Sequence, residues 1–366
     1  MTRTKILAIC CACACVLLWQ AICEGSQYQI HVLDSPAGKG YSAALRINDQ
    51  GVVAGLAALN YNDRNNATAF YWDTSGVHPT GAKVSGYLTV GLNNAGTIVC
   101  GSKVWSNGSI STLPRLYVYG SNVLVDVSDA TGAVVGGSYV DTAGNKHAVV
   151  WDSTGTHDLG ILDGHTSSIA FGINDLGQIV GKSWTDHGMA PERGVLWENG
   201  NKTQLDPLGD YDFSSAVTIN NRGQVVGTSS KWVSYHQSGY ESQYLRREAT
   251  LWSGGSPLDI AVDGLNTSAL DINDCGQVVG CASAYPYGAY YAFVWKNGVI
   301  TFLDDLGGYA ALADGINEDG WIVGQAYGTD KQWHAVVWEP VPEPSSLLVL
   351  VSGIAGFGWA RRRLIG

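Results

Sequence analysis

An all-β chain assembled from repeated four-stranded units is what the sequence predicts, on three observations: a turn motif that recurs seven times, a tryptophan at a fixed place after each copy, and 47 glycines in a chain with only 14% charged residues. The motif is an apolar residue, then Asn, then Asp or Asn, one further residue, Gly, a short apolar run and a second Gly. Its copies begin at Ile47, Leu92, Val127, Ile173, Ile219, Ile272 and Ile316. The third reads Val127-Ser128-Asp129-Ala130-Thr131-Gly132, with Ser for Asn and one extra residue, so its turn is expected to be the least regular. Trp72, Trp105, Trp151, Trp197, Trp252, Trp295 and Trp338 follow the copies in order. A residue type held at one place in every repeat is a packing signature before it is a binding one.

Each unit reads in the same order. Small or apolar residues form a first strand that runs into Ile-Asn. The Asn-Asp-x-Gly segment is a tight turn, because Asn or Asp favours the first turn position and Gly the last. A second strand follows, typified by Gln178 to Gly181, and after a variable connection a third, typified by Ala148 to Trp151. A second turn such as Asn107-Gly108, Asn199-Gly200 or Asn297-Gly298 leads to a fourth strand ending near a Leu. Four antiparallel strands spaced at about 45 residues make the blade of a β-propeller, and the body from 26 to 340 has room for seven. Tyr28 to Leu33 looks like a fourth strand with no first three, while the last unit ends at Trp338 without its fourth. Joining them completes one shared blade and hides two sheet edges, whereas an open solenoid leaves those edges bare. The expected fold is therefore a seven-bladed β-propeller closed by the N-terminal strand, preceded by a signal helix and followed by a transmembrane helix.

The two ends read as address labels. Residues 1 to 25 carry Arg3 and Lys5, an apolar run from Ile6 to Leu18 and small residues around Ala21, Cys23 and Gly25, the pattern of a secretory signal peptide. Residues 341 to 366 begin Val341-Pro342-Glu343-Pro344, continue through the apolar stretch Ser345 to Ala360, and reach Arg361-Arg362-Arg363. As a helix that stretch rises roughly 24 Å, enough to insert with some thinning of the bilayer, and the arginines would stay on the cytoplasmic side. This order of motif, helix and basic cluster resembles the PEP-CTERM sorting signal of Gram-negative bacteria. The resemblance implies recognition by a membrane-embedded exosortase, anchoring before processing, and then release or transfer to the cell surface. The repeats resemble the HAF repeats of bacterial extracellular proteins, named for a His-Ala-Phe triplet. It survives in part as His147-Ala148-Val149, His334-Ala335-Val336, Ala69-Phe70 and Ala292-Phe293. That family offers no catalytic residues to carry over.

Composition narrows the function. Lys and Arg number 21 against 32 Asp and Glu, a net charge of −11, opposite in sign to the footprint of a nucleic-acid binder. Five of the eight cysteines lie in the export segment. Of the others, Cys275 and Cys281 bracket a strand and would stand roughly 20 Å apart, so no structural disulfide is expected. The turn acids lack the spacing of a calcium loop, and the histidines lack zinc-ligand spacing, so no metal or cofactor is expected. No nucleophile elbow or phosphate-cradling loop occurs.

In a four-stranded blade the first and third turns share one end. The second-to-third and blade-to-blade connections share the other, where variable loops on a rigid scaffold tend to carry function. These loops hold Trp184, Trp232, Tyr235, Tyr240, Tyr244, Tyr285, Tyr287, Tyr290, Tyr327 and Trp333. Rings with a polar tip suit sugars and partner proteins alike. The binding candidates are Trp184, Trp232, Tyr235, Tyr240, Tyr285, Tyr287 and Trp333, on a non-catalytic surface or matrix protein that engages polysaccharide or a neighbouring protein. The alternative is a polysaccharide hydrolase or lyase acting through Asp163, His165, Asp210, Asp212, Asp263, Asp304 and Asp305 at the same end, which needs two carboxylates about 5 to 10 Å apart.

Overall fold

The computed structural model describes residues 28–36, 38–83, 89–114, 122–139, 145–185, 191–237, 240–260, 262, 264–284 and 288–341. Residues 1–25, expected to be a signal peptide, and the tail beyond Val341 lie outside the described residues. The chain divides into a body, Ile30–Glu339, and a second unit made of its two ends. Among the described residues the body is all-β, with a single short 3-10 turn at Tyr61–Asn66.

Its strands form antiparallel blades of four. The first strands of repeats one to seven are Tyr41–Ile47, Val90–Leu92, Asn122–Val127, Ser167–Ile173, Phe213–Ile219, Asn266–Ile272 and Gly307–Ile316. Each pairs with a second strand across the Asn-Asp-x-Gly turn, as Ser167–Ile173 does with Ile179–Trp184. A third strand ending at or just past the repeat tryptophan follows, Arg193–Glu198 in repeat four, and then a fourth, Asn201–Leu205. Four repeats stand as separate four-stranded sheets. The expectation of seven separate sheets needs one correction. Single parallel bridges, Tyr290↔Ala310 and Tyr41↔Trp333, join repeats six, seven and one into a sheet of twelve strands. Repeat seven has three strands of its own, and Tyr28–Val32 pairs with the last of them, Trp333–Pro340. Leu33 adds a backbone bond to the Ala335 carbonyl at 2.9 Å.

First strands pack on one another in repeat order, and that of repeat seven packs on that of repeat one. In every first strand but the short Val90–Leu92, the register slips by one residue just before the turn, for example between Ala170 and Gly172. This bulge explains the second glycine of the motif. A Cβ on Gly181 would lie 2.0 Å from the Ile169 carbonyl oxygen, so only glycine fits opposite the bulge. The first glycine answers a different need: Gly177 sits at φ 76°, where a side chain is strained.

The motif asparagine does two jobs. Within its turn, Asn174 Oδ1 accepts the Leu176 and Gln178 amides. Across the junction, Asn174 Nδ2 donates to the Asn220 carbonyl at 3.0 Å. The same link runs from Asn48 to Asn93, Asn93 to Ser128, Asn220 to Asn273, Asn273 to Asn317, and Asn317 to Asn48. The tryptophans tie the outer strands together. The indole N–H donates to the carbonyl after the preceding repeat's fourth strand: Trp151 to Pro114, Trp252 to Asp206, and Trp338 to Asp304. Trp72 donates likewise to Asp34, just after the N-terminal strand. Apolar clusters fill the junctions, with Ala133, Val135, Ile173 and Trp197 between repeats three and four and Ala44, Val53, Val323 and Ala335 between seven and one. Cys100, Cys275 and Cys281 are free thiols.

Asn220→Ala removes a buried side chain with partners on both sides of a junction, and is expected to cost about 2 to 3 kcal/mol in urea unfolding. Ser128→Ala, at the copy that lacks Asn, is expected to cost less than about 1 kcal/mol. Equal losses at the two positions would deny the junction role of the carboxamide.

Candidate functional site

The loop end carries an arc of aromatic rings drawn from three separate segments. Tyr41 opens the first strand of repeat one, Tyr61 lies in the 3-10 turn, and Tyr309, Tyr327 and Trp333 come from the three strands of repeat seven. Tyr41 meets Tyr61 edge-on at 5.7 Å, Tyr61 stacks on Trp333 at 6.0 Å, Trp333 meets Tyr327 edge-on at 5.6 Å, and Tyr327 reaches Tyr309 at 4.5 Å. Tyr41 is buried and its hydroxyl donates to Gln325 Oε1 at 3.2 Å, which anchors that end of the arc. Tyr61 and Tyr309 are exposed, at 44% and 58%. The arc therefore has a fixed root and open faces, the form in which an aromatic surface meets a sugar ring or an apolar side chain.

The other binding candidates fall elsewhere at this end. Trp184 closes the second strand of repeat four, with the Lys182 ammonium 5.6 Å from its ring. Trp232 is 56% exposed on a long hairpin, Val225–Gln237 with Tyr240–Ser253, opposite Leu245. Tyr235 and Tyr240 lie further out on that hairpin, in register with Ser242 and Gln237. Tyr285 and Tyr287 fall outside the described residues, as do Asp263 and Pro342 to Arg363, while Val341 is exposed. Of the candidate rings among the described residues, Trp333 alone joins the arc. Tyr41, Tyr61 and Tyr309 were missed because the topology, not any local spacing, brings them to it.

Two of the loop acids have partners for their side chains, while Asp163, Asp212 and Asp304 are exposed. Asp210 pairs with Lys231 at 2.7 Å, and Asp305 accepts the Gly307 amide at 2.7 Å. Asp212 and Asp304 serve through their backbone carbonyls, which accept from Arg193 and Trp338. Burial pushes the His165 imidazole below its usual range.

A second polar feature lines the bore between the first strands, which the sequence reading did not anticipate. The position before the motif's apolar residue is Arg46, Gly91, Asp126, Gly172, Thr218, Asp271 or Gly315 according to repeat, with Asp314 beside the last. Arg46 donates to the Leu45 and Asp314 carbonyls at 2.8 and 3.2 Å. It makes no ion pair within 4 Å among the described residues. Asp126 accepts the Ile173 amide at 3.2 Å, and Asp271 accepts the Ile316 amide at 3.0 Å, each reaching into the next repeat. Asp314 accepts from Gln325 Nε2 at 3.3 Å. Enclosure by protein pushes Asp126 and Asp314 up to about 6, against the opposing pull of Arg46 and these hydrogen bonds, and raises Asp271 as well. The cavity here is small, about 140 Å³. No group of three or more His, Cys, Asp or Glu is arranged to hold a metal among the described residues.

Comparison with known proteins adds the fold and the address. The PEP-CTERM protein-sorting motif matches residues 340–363. That signal marks an exported protein sorted by an exosortase. Curated proteins give no match. Among solved structures, the β-propeller domain of the Trilobed protease from Pyrococcus furiosus is similar at 11% identity and a TM-score of 0.51, over 83% of this chain and 96% of that one. An acylaminoacyl peptidase from Pyrococcus horikoshii is similar at 12% identity and a TM-score of 0.52, over 84% of this chain and 53% of that one. A puromycin-hydrolyzing peptidase from Mycobacterium tuberculosis is similar at 10% identity and a TM-score of 0.51, over 85% and 56%. The likeness is one of fold: a β-propeller. The chain spans about half the length of the two peptidases. Among the described residues, no helix is long and apolar enough to cross a membrane.

The bore carboxylates set a pH dependence. A folded-state value raised above the unfolded 3.8 means that the folded chain holds more protons between about pH 4 and 6. Their contribution to stability is thus fully present below the unfolded value and is lost as pH rises through about 6. Asp73 acts in the opposite sense: hydrogen bonds from Ser75 and then His78 lower it to about 2, so its contribution is lost as pH falls through that value. The melting temperature is expected to rise from pH 7 to about pH 5 and to fall below about pH 4. Asp126→Asn with Asp314→Asn should flatten the upper limb; an unchanged upper limb would contradict the assignment.

Proposed function

We propose that this chain is an exported, non-catalytic binding protein of the cell surface or extracellular matrix. It is a seven-bladed propeller in which the N-terminal strand Tyr28–Val32 completes the blade of repeat seven. A signal peptide at 1–25 exports it, the HAF-type body at 26–340 folds outside the membrane, and the helix within 341–366 holds it until an exosortase removes the tail. Two bonds support the closed ring: Asn317 to Asn48 joins the last repeat to the first, and Trp72 to Asp34 ties repeat one to the N-terminal strand that pairs with the last strand of repeat seven.

The observation that carries the binding reading is the aromatic arc around Trp333. Its rooted, open rings suit polysaccharide or an apolar patch on a neighbouring protein, and they lie at the end where the connections vary. Polysaccharide is the favoured ligand, because ring faces beside hydroxyl tips match the alternating apolar and polar faces of a sugar chain. The hydrolase reading gains little from the loop carboxylates: Asp210 is taken up by Lys231 and Asp305 by a backbone amide, and Asp163, Asp212 and Asp304 face solvent.

The full-length chain, purified in mild detergent and screened against bacterial and plant polysaccharides, is expected to bind at least one. Trp333→Ala together with Tyr61→Ala should weaken that binding by roughly tenfold or more. Trp232→Ala should have a smaller effect. Binding that survives the arc variant unchanged would move the site elsewhere, and release of reducing ends from any polysaccharide would favour the hydrolase.

A further inference from the structure

Successive repeats are fastened on the turn side by two devices, the asparagine carboxamide and the tryptophan indole. Between repeats three and four both are missing. Ser128 stands where the other copies have Asn, and its hydroxyl reaches Asp175 at 3.4 Å, not the Asn174 carbonyl. Trp197 should donate to the carbonyl of residue 160, as Trp252 does to Asp206. Residue 160 is a glycine at φ 74°, and its carbonyl accepts from the Ser168 hydroxyl at 2.8 Å. Among the described residues the Trp197 Nε1–H has no partner, in a residue 4% exposed. Buried donors in folded proteins are almost always paired, so this one calls for an explanation.

A cavity of about 450 Å³ lies at the same junction, within the range of small-molecule sites. Trp197, Leu159 and Ile179 give it apolar walls, and Asp152, Asp158 and Glu198 give it polar ones; these acids are oriented by Thr154, His147 and Gln178 and keep spare carboxylate lone pairs. We propose that this cavity binds a neutral, hydroxyl-rich molecule of mono- or disaccharide size. The three acids outweigh the Lys202 ammonium, which stands beside Gly160 and draws on Asp158, and so disfavour anions. An ammonium would suit the acids but has no lone pair for the indole. A hydroxyl satisfies both, accepting from Trp197 and donating to a carboxylate. The indole N–H is sealed while the junction is closed, and the missing fasteners let the junction open far enough for a hydroxyl oxygen to reach it. The Ala130–Asp175 and Ala148–Ser168 bonds hold the two repeats together on either side. The site is separate from the aromatic arc and lies at the opposite end of the blades.

The test is an NMR titration of the full-length chain carrying ¹⁵N-labelled tryptophan. The Trp197 indole signal is identified by its loss in Trp197→Phe, a change that removes a donor already without a partner. The probes are glucose, galactose, mannose, N-acetylglucosamine, sucrose and myo-inositol, together with the polysaccharides used for the arc. The expected result is a saturable shift of that signal with at least one probe. Affinity for a responding sugar, read by isothermal titration calorimetry, should be weakened by roughly tenfold in Trp197→Phe and by at least as much in the cavity-narrowing Ala133→Leu. A response to free sugars alone identifies a soluble ligand, and a response to polysaccharide as well identifies a chain end; either supports the site. No shift with any probe, or an affinity indifferent to both Trp197→Phe and Ala133→Leu, overturns it.

Discussion

The body depends on a run of backbone amides, each held by the repeat that follows. The amide of the residue after the motif asparagine, or one further on in the irregular third copy, is accepted by the matching side chain of the next repeat: Asp49 by Asn94, Asn94 by Asp129, Ala130 by Asp175, Asp175 by Asn221, Asn221 by Asp274, Asp274 by Glu318, and Glu318 by Asp49. These are exposed contacts, each worth little alone, but every turn requires its acceptor from the next repeat, and the buried carboxamide links beside them repeat the same requirement. Because the last link returns to the first repeat, the same requirement applies to the chain's two ends. The turns, the bulges beside them and the glycines opposite those bulges all serve this arrangement.

Such a scaffold divides labour between its two ends. At the turn end, every repeat must present the same atoms at the same place, and variation is penalised. At the loop end the connections are free to differ in length, from the short 3-10 turn of repeat one to the long hairpin of repeat five. That freedom is where the aromatic arc and the exposed Trp232 arise. The junction of repeats three and four is the exception at the turn end: it keeps the amide link while lacking the two side-chain fasteners, and the resulting space is lined for a ligand.

Much of this was legible in the sequence because it repeats. Asn-Asp-x-Gly at seven places fixed the turns, and a tryptophan at a constant offset fixed the third strands. Tyr28 to Leu33 stood out as a strand with the pattern of a fourth and nothing to follow. The extra residue at Thr131 marked the irregular turn, but not the loss of the indole bond at Trp197, which depends on the carbonyl direction of Gly160. The bore was illegible for a related reason. A bulge reverses the alternation of faces, so Arg46, Asp126 and Asp271 read as ordinary strand residues until the register is known. Trp333 was named from its loop position, whereas Tyr61 and Tyr309 reach it only through pairing between the first and last repeats.

Amide hydrogen exchange at Leu33 and Glu318 measures the closure of the body most directly, since Leu33 bonds to Ala335 and Glu318 to Asp49 across the joined ends. If the ends close one ring, both amides exchange only as slowly as those of the central repeats, such as Val180 and Val226, and through the same global opening. Fast local exchange at Leu33 and Glu318, with the central repeats still protected, would mean that the ends are not joined.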